Sequence, residues 1–148
     1  MTTASAPGKI ILFGEHAVVS GATALGGAID LRASVSVQDR PGGIVITTED
    51  LMLKGFSIDL QSGRLFSSQA AHAVRYISAV LQEFEAHDIE VNIKSSLPAS
   101  AGLGSSAAIV VSAVMAISRH QGISLSLKKI ADLSFRLERE VQDGLASP

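Results

Sequence analysis

Cysteine and tryptophan are absent from the 148 residues, and one tyrosine and five phenylalanines supply all the aromatic area. Without cysteine there is no disulfide framework, no thiolate metal site and no cysteine nucleophile, and a reducing compartment is weakly favoured. Charge of one sign is also lacking. Twelve Lys and Arg face fourteen Asp and Glu, a net −2, and the two signs are interleaved. That balance leaves no basic footprint for nucleic acid or an anionic membrane. Long apolar runs are missing too. The longest charge-free stretch, Ser95 to Ser118, contains Pro98, Gly102, Gly104 and several serines. Its strongly apolar part is about three turns, whereas a membrane-spanning helix needs about 20 residues. Met1 to Ala6 is small and polar, and Lys9–Phe13 is too short for a signal-peptide core. The expectation is a soluble protein.

What is present suffices for a core. Hydrophobic residues make up 47% of the chain and the mean hydropathy is +0.35, which excludes intrinsic disorder. The length fits one compact domain, burying about 68–70% of its unfolded surface.

Lys9–Phe13 (KIILF) reads as a buried strand. Asp30, Arg32, Ser34, Ser36 and Gln38 then alternate with Leu31, Ala33, Val35 and Val37, a strand with one wet and one buried face. The turn residues Arg40-Pro-Gly-Gly43 lead into Ile44–Thr48, which predicts a hairpin. Gly55–Leu60 carries a weaker strand alternation. Ala70, Val74, Ile77, Leu81 and Phe84 fall on one helical stripe, with Ser67 or Ser68 placed to cap it. Ile89, Val91 and Ile93 alternate as another strand. An Ala-rich helix is predicted from Gly104 to His120, ended by Gly122. A last helix begins near Ser126 with Ile130, Leu133, Leu137 and Val141 on one face. Strands come early and helices late, so the class is α+β.

Two segments carry chemistry. The first is Leu97-Pro-Ala-Ser-Ala-Gly-Leu-Gly-Ser-Ser-Ala-Ala108, between a predicted strand and a predicted helix. Gly102 and Gly104 allow close backbone approach or positive φ. The unpaired N–H groups and dipole of the next helix suit a phosphate, and Ser105 and Ser106 offer hydroxyls to phosphate or to a phosphate-bound metal. No Lys follows the second glycine, so this is not the common P-loop. A plain Gly-rich turn with a serine cap is the alternative.

The second segment is Pro7-Gly-Lys-Ile-Ile-Leu-Phe-Gly-Glu-His-Ala-Val-Val-Ser-Gly21. A cation, Lys9, opens a strand, and Glu15 with His16 follows its end, where scaffolds display functional groups. A strand-edge charge and ordinary turn residues are the alternatives. His72, His87 and His120 lack partners at metal-ligand spacing and read as solvated histidines. Asp30 and Arg32 read as the wet face of a strand, Met52 and Met115 as fillers.

In the same chain, the two segments resemble the paired signatures of the GHMP kinases, ATP-dependent kinases of small molecules. Gly14-Glu-His-Ala-Val-Val19 lacks the Asp-Tyr pair typical of galactokinase-like members. It also has His16 where phosphomevalonate-acting members usually have Tyr. It is most similar to the mevalonate-acting branch, archaeal-type members in particular. The resemblance implies a two-layer α+β N-terminal, ATP-binding domain over residues 1–148, a sheet backed by helices with a left-handed βαβ crossover. Physics alone would not suggest that crossover, since such connections are right-handed in about 98% of cases.

The resemblance also implies roles. Pro98, Ala99, Ser100, Ala101, Gly102, Leu103, Gly104, Ser105 and Ser106 would hold ATP. Ser106 and a helix carboxylate would hold Mg²⁺. Glu138 is the expected carboxylate, Glu140 its rival because Asp143 resembles an insertion, and a solvated helix-face acid is the alternative for either. Lys9 would be catalytic at the transferred phosphoryl group, and Glu15 and His16 would contact mevalonate. The family's catalytic aspartate would follow Pro148 by two residues, so the chain reads as an N-terminal half without its second domain and is expected to be inactive alone. ATP and mevalonate are the implied partners, with a cytoplasmic setting and a homodimer as a common family state. A phosphomevalonate or sugar kinase, or a non-catalytic nucleotide-binding fragment, is the other reading.

Overall fold

A computed structural model describes residues 1–48, 57–59, 70–98 and 101–145. The strands are β1 (Thr2–Phe13), β2 (Leu25–Asp39), β3 (Val45–Thr48), β4 (Ser57–Asp59) and β5 (Ile89–Ser95); the helices are α1 (Ala70–Glu83), α2 (Ser105–His120) and α3 (Leu127–Leu145). Among the described residues the sheet runs in the order β1-β2-β5-β3-β4, antiparallel except for the parallel pair β3–β5. β4 and α1 lie in the connection between that parallel pair. Helices cover one side, so the architecture is the expected α+β two-layer form.

β1 and β2 build a long hairpin with an interruption. Pro7 pairs with Arg32 but Gly8 pairs with Ile29, so Asp30 and Leu31 bulge out of β2. On the near side, Ala4, Ala6, Ala33, Val35 and Val37 are buried, while Thr3, Ser5, Ser34 and Ser36 line the other face. On the far side Ile10, Leu12 and Phe13 are 41%, 58% and 72% exposed. Lys9–Phe13 is therefore a strand but not a buried one. The buried face of the hairpin ends at the bulge, and beyond it the two strands project as an arm. The near half, Thr2–Gly8, escaped the sequence reading because Ala, Pro and Gly carry little strand preference.

The hairpin expected across residues 40–43 is not formed. β5 inserts between β2 and β3, pairing antiparallel with one and parallel with the other. Asp88, at φ 53, holds the wide connection: its Oδ1 accepts the Gly42 and Gly43 N–H groups at 3.0 Å each, and its carbonyl accepts Arg40 N–H at 2.8 Å. Turn chemistry alone cannot reveal a strand that arrives later in the chain.

The core follows the stripes anticipated on α1 and α3, and α2 joins it through one more row of side chains. Val74, Ile77, Val80 and Leu81 of α1, Val110, Ala113, Val114 and Ile117 of α2, and Ile130, Leu133 and Leu137 of α3 pack with Ile46, Val91 and Ile93. α2 is the central helix, touching β1, β2, α1 and α3. Its buried Ser112 hydroxyl lies 2.6 Å from the Ala108 carbonyl and 3.1 Å from the Ala33 carbonyl of β2. Small and branched side chains let α2 lie close to the sheet, and Ser112 ties the two. α3 begins as expected, with Ser126 Oγ accepting the Lys129 N–H at 3.2 Å. The cap placed at Ser67 or Ser68, Met52 and most of Gly55–Leu60 lie outside the described residues.

His120 is not a solvated histidine. Its ring, 13% exposed, stands 3.1 Å from Asp39 Oδ1 and 3.5 Å from Thr2 Oγ1, joining the end of α2 to β1 and β2. No described helix is long and apolar enough to cross a membrane.

The Asp88 contacts predict a graded response. Asp88→Ala should lower unfolding free energy by about 1–3 kcal/mol, from lost hydrogen bonds and an unfavourable positive φ. Asp88→Asn, which retains a side-chain acceptor and tolerates positive φ, should stay within about 1 kcal/mol of wild type in urea titrations.

Candidate active site

The glycine-rich segment joins β5 to α2. Gly102 and Gly104 have φ of 69° and 73°, the left-handed region that a side chain rarely adopts. Gly104 is the N-cap of α2, and among the described residues no side chain caps that end. The first helical bond runs from Ala108 N–H to the Gly104 carbonyl at 3.0 Å. The N–H groups of Ser105, Ser106 and Ala107 therefore have no intrahelical acceptor. No acidic side chain occupies the first turn, while Arg119 and His120 sit in the last. The macrodipole and the open N–H groups both favour an anion at this end.

β1 brings Lys9 to that loop. The Lys9 N–H donates to the Leu103 carbonyl at 2.9 Å. The lysine stem runs beside Gly104, so closely that a Cβ on Gly104 would stand 2.9 Å from Lys9 Cγ. Lys9 itself is exposed, leaving its ammonium free to meet a ligand over the loop.

α3 supplies a carboxylate to the same helix start. The Ser106 hydroxyl donates to Glu138 Oε1 at 2.8 Å, and both residues are half-buried. The helix register explains why it is Glu138. Ile130, Leu133 and Leu137 fix which face of α3 is buried, and this turns Glu138 toward the start of α2. Glu140, two residues on, points instead to Arg136, which donates to it at 3.3 Å and to Glu83 of α1 at 2.7 Å. Those carboxylates hold the Arg136 guanidinium above its ordinary pKa, the Glu83 hydrogen bond contributing most.

Glu15, His16, Pro98 and Ala101 make no hydrogen bond to Lys9, Ser106 or Glu138 among the described residues. Glu15 and His16 lie on an exposed turn after β1, without a hydrogen bond to another described residue. Pro98 and Ala101 are exposed, and Ala99 and Ser100 lie outside the described residues. Sequence reasoning did not single out Leu103 as the anchor for Lys9. A backbone carbonyl leaves no signature in the residue type.

Chemically the cluster offers a cation, open N–H groups, a hydroxyl and a carboxylate at one helix start. Among the described residues no group of three His, Cys, Asp or Glu could hold a metal by itself. The hard oxygens of Ser106 and Glu138 do fit Mg²⁺, which is commonly held by one or two carboxylates together with substrate phosphates.

The sequence profile of the family described as "GHMP kinases N terminal domain" matches residues 70–148. The chain is similar to the mevalonate kinase of Thermococcus onnurineus, 39% identical over 94% of this chain and 45% of that protein. It is equally similar to the mevalonate kinase of Saccharolobus solfataricus, 39% identical over 99% of this chain and 46% of that protein. The crystal structure of the Methanococcus jannaschii mevalonate kinase superimposes with a TM-score of 0.77 at 29% identity, covering 95% of this chain and 47% of that one. The chain thus spans about half the length of the curated relatives it matches.

The two loop glycines should differ in tolerance. Gly102→Ala meets nothing within 4 Å and bears only the positive-φ cost, about 1–2 kcal/mol. Gly104→Ala adds the collision with Lys9 and should cost more, about 2–4 kcal/mol in chemical denaturation.

Proposed function

Because the chain belongs to the GHMP kinase family, its N-terminal domain matching more than half of these residues, we propose that it is the nucleotide-binding half of an ATP-dependent mevalonate kinase. The observation that carries this reading is the Ser106–Glu138 hydrogen bond at the start of α2, with Lys9 lying against Gly104. The relatives named mevalonate kinase supply the acceptor class.

In this reading the open N–H groups of Ser105, Ser106 and Ala107 bind the ATP phosphates. Ser106 and Glu138 hold Mg²⁺, which, when bound, neutralises charge on the phosphate oxygens. Lys9 places its ammonium where negative charge grows on the transferred phosphoryl group and on the acceptor oxygen. Phosphoryl transfer rests on such positioning and electrostatics more than on covalent chemistry by the protein. His16 and Glu15 orient the acceptor's carboxylate and hydroxyl, beside the aliphatic Ala17 and Val18. Residues 1–148 then act as one domain, with the other wall of the cleft supplied from outside them. Use of ATP as donor fits a cytoplasmic setting.

In a chain of family length, Lys9→Met should lower kcat for mevalonate phosphorylation by about two to three orders of magnitude, with Mg-ATP affinity changed far less. Near-normal turnover would remove Lys9 from the chemistry. Glu138→Gln should weaken Mg-dependent ATP binding by about tenfold or more, while Glu140→Gln stays within about twofold in calorimetric titrations. The reverse ranking would exchange the two assignments.

A further inference from the structure

Gly8 has no positive φ to account for it; what surrounds it does. It is buried, and a Cβ built on it would overlap Leu97 Cδ2 outright and stand 2.9 Å from the Leu103 carbonyl oxygen. Ile29 Cδ1 closes a third side at 3.3 Å. Leu97 precedes the glycine-rich loop and Leu103 lies within it, between Gly102 and Gly104, and Leu103 is the residue whose carbonyl accepts the Lys9 N–H. Gly8 also stands at the register shift, where the hairpin leaves the core and its arm begins.

We propose that Gly8 is a positioning residue for phosphoryl transfer: its missing side chain lets β1 seat directly on the loop backbone, which sets Gly104 and the open end of α2 against Lys9. The inference rests on the functional reading above. The two obstacles to a side chain differ in kind. Leu97 Cδ2 is the end of a flexible side chain and can rotate away. The Leu103 oxygen is backbone, and it can move only if the loop moves. A side chain at position 8 must therefore lengthen the Lys9–Leu103 bond and carry the glycines away from the lysine. A displacement near 1 Å is enough to disturb a site of this kind.

The test uses Gly8→Ala, Leu97→Ala and the double variant in a chain of family length, with Mg-ATP and mevalonate as probes. Gly8→Ala should lower kcat/KM for ATP by about tenfold or more, leaving KM for mevalonate within about twofold. Adding Leu97→Ala removes the side-chain collision alone. It should recover part of any loss in Tm without recovering kcat/KM for ATP. If the double variant uses ATP as well as Leu97→Ala does, Gly8 serves packing against Leu97 and the proposal fails. Wild-type kinetics in Gly8→Ala also overturn it. Should Gly8→Ala not fold, the comparison of the double variant with Leu97→Ala decides alone. A wild-type chain that neither binds Mg-ATP nor phosphorylates mevalonate defeats the functional reading itself, a result distinct from either outcome for position 8.

Discussion

The backbone hydrogen bond from Lys9 to the Leu103 carbonyl joins the first strand to a loop far along the chain, and the site is built outward from it. The two segments can approach this closely only because Gly8 and Gly104 present no side chains at the contact. Once they meet, the Lys9 stem is laid beside Gly104, and Gly104 is the cap from which α2 begins. The position of the cation relative to the open N–H groups thus follows from one backbone contact, with no side-chain bond needed to hold it.

Packing carries that placement to the carboxylate. α2 is held to β2 by its small and branched residues and by the Ser112 hydroxyl, so its start is fixed with respect to the sheet. α3 then docks through Ile130, Leu133 and Leu137, and the rotation this imposes decides which acid reaches Ser106. Two residues on a helix are about 200° apart, so Glu138 and Glu140 cannot serve the same side. Arg136 reinforces the choice by engaging Glu140 and Glu83 together. Exposed pairs of that kind contribute about 0–1 kcal/mol, so the hydrophobic stripe rather than the ion pairs sets the register. Ser134, one turn before Glu138, is buried with no hydrogen-bond partner for its hydroxyl among the described residues, a cost of about 1–3 kcal/mol in the same helix interface.

The β-bulge at Asp30 and Leu31 separates two tasks within one hairpin. The near half buries alanines and valines under the helices and contributes to stability. The far half begins at Lys9, exposes apolar side chains, and leads to the turn with Glu15 and His16. Gly14, at φ 86, makes that turn feasible, since a Cβ there would stand 2.6 Å from the Thr23 carbonyl.

Period and motif, both properties of the local chain, were enough to read the α+β class, the apolar faces of α1 and α3, the existence of α2, the β5 alternation and the glycine loop before α2. Lys9 and Ser106 stood out because a phosphate site restricts residue type, whereas Glu138 was pointed to only by the resemblance to the GHMP kinases. Tertiary structure alone decided the rest. β5 separated β2 from β3, which the turn at residues 40–43 could not disclose. The arm carrying Lys9–Phe13 turned out exposed, because burial depends on what lies opposite a strand and not on its own apolarity. His120 acquired Asp39 and Thr2 as neighbours only when the sheet closed over the end of α2. Leu103 became the anchor of Lys9 through its carbonyl, a group that every residue carries, so no sequence pattern could have marked it. Contacts between segments distant in the chain are set by how the layers pack, and packing is the information a one-dimensional periodicity does not contain.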